Sequence, residues 1–309
     1  MAYPVLNMNT PQSLNLHTDP ADFAGIDVYA VAGNPINHSK SPLIHAQFAA
    51  QAQQKMHYGR LQPELGEFKN VVKNFFAAGG KGMNVTVPFK LDAQELADVL
   101  TPRAQLAGAV NTLRIEGGKI FGDNTDGAGL VRDLLAQGIA LHGARILLLG
   151  AGGAARGVIG PLLEHAPKCL VIANRSSAKA DELVGLFAGL AATNQTVLES
   201  RTMAQLEDSV ITSHAFDLVI NATAAGLGDE SPISNLAADK IFTPKSFAYE
   251  MVYGKPTAFM QQALYRGARV SDGLGMLVEQ AADAFLIWRG TELSQSIDPR
   301  AVLAELRSA

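Results

Sequence analysis

A chain of 309 residues is longer than one hydrophobic core ordinarily fills, which predicts two domains of ordinary size. With 48% hydrophobic and 17% charged residues it is far from a disordered composition, and a net charge of -4 without a long Lys or Arg run excludes a nucleic-acid partner while leaving room for a small anionic metabolite. The one cysteine, Cys169, lies in the apolar run CLVIA; this rules out an intrachain disulfide or a thiol-rich metal site, fits a reducing compartment and reads as a core strand residue.

The opening stretch MAYPVLNMNTPQSLNLHTDPADF has neither a basic n-region nor a continuous apolar run, so it reads as a loosely held extension rather than a signal peptide or membrane anchor. A cytoplasmic protein with no membrane partner is expected. From GIDVYAVAG onward, short β-rich runs alternate with longer amphipathic ones, the pattern of parallel sheets with helical crossovers. A first strand over 27–32 ends at Gly33, and the loop NPINHSKS leads to Pro42 in the first turn of a helix carrying Leu43, Ala46, Phe48 and Ala50. A second strand near Tyr58 follows. A helix then carries Leu65, Phe68, Val71, Val72 and Phe75, stops at Gly79 and Gly80, and gives way to the strand MNVTV, closed by Pro88. In TLRIEGGKIFG two β-prone runs around Gly117-Gly118 predict a hairpin.

The helical continuation of DNTDGAGL, LVRDLLAQ, is placed as a bridge between two domains, with a boundary after residue 126. RILLLG, LVIAN, FDLVINAT and SFAYEMVY are then strands of a doubly wound, Rossmann-like sheet over 127–272. Over 273–309, GLGMLVEQAADAFLIWRG places Leu274, Leu277, Ala281, Phe285 and Trp288 on one helical face, and a short helix follows Asp298-Pro299.

Within RILLLGAGGAARG, Gly150, Gly152 and Ala155 form a G-x-G-x-x-A pattern directly after an apolar strand and at the start of a helix. Gly150 permits the tight turn, Gly152 lets the backbone approach a pyrophosphate, and Ala155 allows close packing, with Ala151, Gly153 and Ala154 completing a dinucleotide cradle. The next strand ends in Asn174, Arg175 and Ser176 where an NAD site usually carries a carboxylate. Arg175, Ser176 and Lys179 suit a 2′-phosphate, so NADP is the expected cofactor. Ser176 also suits the cap of the following helix.

The loop GNPINHSKSP brings Ser39 and Ser41 close together before a helix start, where hydroxyls and free amides suit a carboxylate; standing alone, Ser41 would read as an N-cap. In NVTVPFK, Asn84 and Thr86 share one strand face ahead of Lys90. Gln280 lies beside the apolar face of the last long helix, a boundary position when read alone. Asp123 and Asp126 lack an accompanying His or Glu cluster, so no metal is expected.

Taken together, GNPINHSKSP, GGKGMNVTVPFK, AGAVNT, GDNTDG, GAGGAARG, NRS, INAT and DGLGMLVEQAA resemble the shikimate dehydrogenase family, in the family's order and over nearly the whole chain. The resemblance implies an α/β fold of two domains, an N-terminal α/β substrate domain (1–126) completed by C-terminal helices (273–309) and a Rossmann-like NADP domain. It further implies that Ser39 and Ser41 bind a carboxylate, that Thr86, Asn111, Asp126, Tyr253 and Gln280 approach ring hydroxyls or their neighbours with Asn84 supporting that surface, and that Lys90 and Asp126 form the catalytic pair. Met251 and Gly273 match positions near the nicotinamide. The implied reaction is NADPH-dependent reduction of 3-dehydroshikimate by a monomer or homodimer. Glu250 stands where the family often has Asp, and Lys179 where it often has Arg. The alternatives are a quinate/shikimate dehydrogenase with broader substrate and NAD use, and a non-catalytic NADPH-sensing protein.

Overall fold

The computed structural model describes residues 18–208, 215–228 and 230–308. The first half runs β1 (Asp27–Ala32), α1 (Ser41–Gln51), β2 (Met56–Leu61), α2 (Phe68–Ala77), β3 (Gly82–Val85), α3 (Lys90–Leu96), β4 (Val99–Leu100), α4 (Pro102–Ala107), β5 (Thr112–Glu116) and β6 (Lys119–Asp123). After α5 (Asp126–Ala136) come β7 (Arg145–Leu149), α6 (Gly153–Glu164), β8 (Cys169–Asn174), α7 (Ser177–Thr193), β9 (Val197–Thr202), β10 (Leu218–Asn221), α8 (Asn235–Ile241), β11 (Phe247–Glu250), α9 (Ala258–Tyr265) and β12 (Arg269–Ser271). The chain closes with α10 (Leu274–Arg289) and α11 (Pro299–Ser308).

These elements build two domains, each around its own sheet. The first sheet has the order β2-β1-β3-β5-β6-β4, with β2, β1 and β3 parallel and joined by the crossovers α1 and α2. β5 runs antiparallel to both β3 and β6. The hairpin falls at Gly117-Gly118 as expected, and it makes this sheet mixed rather than parallel throughout, because a tight turn leaves no chain for a crossover. The second sheet, β12-β11-β10-β7-β8-β9, is wholly parallel and doubly wound, as the sequence predicts. Its edge strands β9 and β12 escape a search for apolar runs: β9 reads VLESRT, is half-exposed along most of its length and lacks the continuous apolar signature of buried parallel strands.

Several helical expectations shift. The buried face of α1 is Ile44, His45, Phe48 and Ala49, whereas Leu43, Ala46 and Ala50 are exposed; α1 has apolar residues almost all round, so periodicity alone leaves its phase open. Leu65, 75% exposed, precedes α2, which buries Phe68, Val72, Phe75 and Phe76. Strand β3 stops at Val85, leaving Thr86 in the following turn. α10 is buried on most of its circumference instead of one face, Met276, Val278, Gln280 and Ala282 included, because it packs against α1, α5 and α11 at once. Residues 1–17 lie outside the described region, but the end of the stretch expected to be loose is anchored: Thr18 is buried and bonds the backbone of Arg60 on β2, and Phe23 stacks on His57 at 3.8 Å.

α5 and α10 cross where the two domains meet. A Cβ added to Gly129 would lie 2.8 Å from both the Cβ and the backbone nitrogen of Gln280, so glycine sets how closely these helices approach. Farther along α5, fully buried Asp133 accepts hydrogen bonds from Tyr249 of β11 at 2.7 Å and Arg300 of α11 at 2.8 Å. One carboxylate thereby ties the second sheet to the C-terminal helices.

Candidate active site

The loops at the ends of β1 and β3, with the starts of α5, α6 and α10, enclose a cleft of about 560 Å³ between the sheets. Ser39, Ser41, Asn84, Thr86, Lys90, Asn111, Asp126, Tyr253 and Gln280 all line it. Gly152, Gly153, Ala154, Met251 and Gly273 form the opposing wall.

Lys90 and Asp126 meet as an ion pair, although they open separate helices, α3 and α5. The lysine stands where a helix dipole disfavours a cation and the aspartate where it favours an anion, so a local structural reason exists for the second but not the first. Asp126 Oδ1 accepts from Asn111 Nδ2 at 2.9 Å, and its amide donates to Asn124 Oδ1 at 3.1 Å. Asn111 Nδ2 also donates to Thr125 Oγ1 at 2.9 Å and lies 3.3 Å from Gln280 Oε1, while its Oδ1 accepts the Thr125 amide at 2.9 Å. The carboxylate is thus oriented by a connected network, which in turn leaves Lys90 a fixed position. Asp123, by contrast, is clamped by both Arg103 Nε and Nη2, at 2.7 and 2.8 Å, and its carboxylate touches that network only where Oδ1 accepts the Asn124 amide at 2.7 Å.

Asn84 is on the cleft wall but its amide is fully engaged within the protein. Its Nδ2 donates to Thr112 Oγ1 at 3.1 Å and Asn111 O at 3.3 Å, and its Oδ1 accepts from Tyr58 OH at 2.7 Å and His45 Nε2 at 3.2 Å. Burial holds the His45 imidazole neutral by lowering its pKa to about 3, against which the Asn84 bond acts only in part. His45, Tyr58, Asn124 and Thr125 are functional neighbours that sequence reasoning misses; the last two are visible within the GDNTDG block, whereas the first two sit in ordinary amphipathic segments. At the serine loop, Ser39 Oγ accepts the Ser41 amide at 3.3 Å, and α1 begins at Ser41 with Lys40 as its cap. Ser41 is therefore not the N-cap.

Across the cleft, Gly150 turns with φ of 110° at the end of β7, a conformation that excludes most other residues. Ala151 is half-buried in this turn, and Ala155 is wholly buried beneath the first turn of α6. A Cβ on Gly152 or Gly153 would meet nothing within 4 Å, so the space beside the α6 start is open, and first-turn amides have no intrahelical acceptor. A helix start of this kind can hold a pyrophosphate. Asn174 ends β8; Arg175, Ser176 and Lys179 are exposed beside it and do not line the cleft itself. Ser176 occupies the N-cap of α7 but makes no side-chain cap bond, and neither Arg175 nor Lys179 has a hydrogen-bond or ion-pair partner among the described residues. These groups fit a phosphate on the adenosine ribose.

Met251 and Gly273 meet directly: a Cβ on Gly273 would lie 2.2 Å from Met251 O, which requires glycine here. Glu250 is buried with its pKa raised by burial, and it accepts from Asn221 Nδ2 at 2.8 Å, Thr257 Oγ1 at 2.9 Å and the Val252 amide at 3.2 Å. The carboxylate so brackets Met251 on the backbone, giving the Glu at this position a structural task.

Comparison with known proteins agrees with this geometry. Residues 31–113 match the family model described as the shikimate dehydrogenase substrate binding domain, and residues 133–226 match that of shikimate / quinate 5-dehydrogenase. The shikimate dehydrogenase (NADP(+)) of Herminiimonas arsenicoxydans is 52% identical over 284 residues, covering 91% of this chain and 97% of that protein. Among solved structures, an Ael1 enzyme from Pseudomonas putida superposes with a TM-score of 0.79 at 45% identity, covering 91% of this chain and 98% of the other. Shikimate 5-dehydrogenase from Thermus thermophilus, in complex with NADP(H) and shikimate, gives 0.77 at 31% identity, covering 92% and 99%. The chain belongs to the shikimate dehydrogenase family.

Proposed function

We propose that this chain catalyses the NADPH-dependent, reversible reduction of 3-dehydroshikimate to shikimate, a step towards chorismate and the aromatic amino acids. The observation that carries this reading is the Lys90–Asp126 pair, held in a polar network opposite an open glycine cradle. Bound NADPH supplies the hydride to the C3 carbonyl carbon. Lys90 donates a proton to the carbonyl oxygen as it becomes an alkoxide, and takes that proton back in the oxidation. Asp126 and Asn111 keep the ammonium aimed.

Ser39 and Ser41 bind the substrate carboxylate, with Tyr253 beside them. Thr86, Asn111, Asp126 and Gln280 take the ring hydroxyls, while Asn84 fixes the strand end that presents them. Gly150 and Ala155 shape the turn; Ala151, Gly152, Gly153 and Ala154 cradle the pyrophosphate; Met251 and Gly273 support the nicotinamide. Asn174, Arg175, Ser176 and Lys179 take the adenosine ribose and its 2′-phosphate. The substrate domain spans 1–126 and 273–309 and the NADP domain 127–272, supported by the starts of α5 at Asp126 and α10 at Leu274. No helix among the described residues is long and apolar enough to cross a membrane, and a cytoplasmic monomer or homodimer is the form we assign.

The test is initial-rate oxidation of shikimate and of quinate, each with NADP and with NAD, by the purified protein. Turnover confined to shikimate with NADP supports the assignment. Comparable quinate or NAD rates would instead make this a quinate/shikimate dehydrogenase.

A further inference from the structure

Arg60, near the end of β2, differs from the other arginines of the substrate half. Arg103, Arg114, Arg289, Arg300 and Arg307 each pair with a carboxylate. Arg60 has no such partner among the described residues. Among the described residues its one side-chain hydrogen bond runs from Nη2 to the Ser39 carbonyl at 2.7 Å, and its buried Nε has no partner. Half-buried guanidinium groups ordinarily find an anion, because desolvation otherwise penalises the charge. Here burial does depress the Arg60 pKa, and the groups that feel its charge are Tyr58 and Tyr253.

These neighbours surround one end of the cleft. Ser39 and Tyr253 line it, Tyr58 OH donates to Asn84, and the substrate loop is further pinned to the β2 exit by Gln62 Oε1 accepting the Ile36 amide at 3.2 Å and Pro63 O accepting Asn34 Nδ2 at 3.0 Å. The cleft's other charges cancel, since Lys90 and Asp126 neutralise each other. The unpaired guanidinium of Arg60 therefore stands behind the serine loop, which itself carries Lys40.

We infer that Arg60 is a positioning and specificity residue whose missing counter-ion is the substrate's own carboxylate: it holds Ser39 through the carbonyl and selects a carboxylate over a neutral group by its charge. This rests on the assignment of shikimate as substrate. Arg60 does not line the cleft, so it acts through Ser39 and across an intervening layer of protein, where a charge pair is screened but still substantial.

The experiment measures KM for shikimate and inhibition or KM for its uncharged methyl ester, with NADP, in wild type, Arg60→Gln and Arg60→Lys. Gln keeps a donor for the Ser39 carbonyl while removing the charge, so a rise confined to shikimate reads the charge and not the Ser39 bond. Arg60→Gln is expected to raise the shikimate KM about tenfold more than the corresponding constant for the ester, with KM for NADP unchanged, and Arg60→Lys is expected to restore most of that difference. An equal rise for both ligands, or no rise, in a variant that retains its NADP KM would overturn the inference while leaving the function intact. If Arg60→Gln does not fold, the lysine variant decides: a carboxylate preference lost despite the retained charge would overturn it. Wild type inactive on shikimate would overturn the functional assignment and this inference with it.

Discussion

The two walls of the cleft are built on opposite plans. On the substrate side the polar groups are already committed to one another: Asn84 is held by four partners, and Asn111 joins Asp126, Thr125 and Gln280. On the cofactor side the wall is backbone, with unobstructed glycines at the α6 start and two cations, Arg175 and Lys179, that have no protein partner among the described residues. A connected network fixes orientation before the ligand arrives, which is what placing a proton donor against one carbonyl requires. A cradle of amides and separate charges instead gathers independent contributions to a polyanionic ligand. Substitutions on the first wall should therefore couple, and those on the second should add.

Lys90→Ala attacks the committed wall most directly. Turnover should fall by about 10²- to 10⁴-fold while NADPH binding, followed by its fluorescence, stays within about twofold; unchanged turnover would remove the lysine from the chemistry. Asp133→Ala breaks the joint between the walls, leaving Tyr249 and Arg300 without their shared acceptor. Denaturant unfolding should show a loss of about 3 kcal/mol, and a loss too small to resolve would mean the joint carries little.

His45 offers a pH handle on the same wall. Its folded pKa, about 3, lies below the ordinary 6.5, so the folded protein binds fewer protons than the unfolded chain; the stability held by the neutral ring is complete above pH 6.5 and declines as pH falls towards 3. Between neutral pH and pH 5 this amounts to about 2 kcal/mol. His45→Gln keeps a donor for Asn84 but does not titrate, and its stability relative to wild type should improve by that amount over the interval; a difference independent of pH would contradict a buried neutral ring. The smallest effect belongs to the cofactor wall: Arg175→Ala should raise KM for NADP about tenfold with the shikimate KM unchanged, whereas a matching rise in both constants would show that the two walls are not independent.

What the sequence reveals follows the range of the interactions involved. The Gly150 turn, the glycine-rich start of α6 and the Gly117-Gly118 hairpin need particular residue types at adjacent positions, so they are legible locally. That Lys90 and Asp126 meet depends on β5 lying between β3 and β6 with α3 and α5 opening at the same end of the sheet; spacing along the chain carries no trace of this, and only the family resemblance supplies it. Tyr58 and Arg60 look like ordinary residues of an edge strand, and their work becomes visible only through Asn84 and Ser39, which other segments contribute. The single apolar face expected of α10 fails for a related reason: a helix packed between two domains buries residues that periodicity assigns to water.

The most direct test of the whole account is the rate at which wild-type protein reduces NADP when given shikimate, both saturating. Turnover on the ordinary enzyme scale of about 1 to 10³ per second is the predicted result. Tight NADPH binding without measurable turnover would contradict it, and would leave the Lys90–Asp126 pair as part of a sensing protein rather than an enzyme.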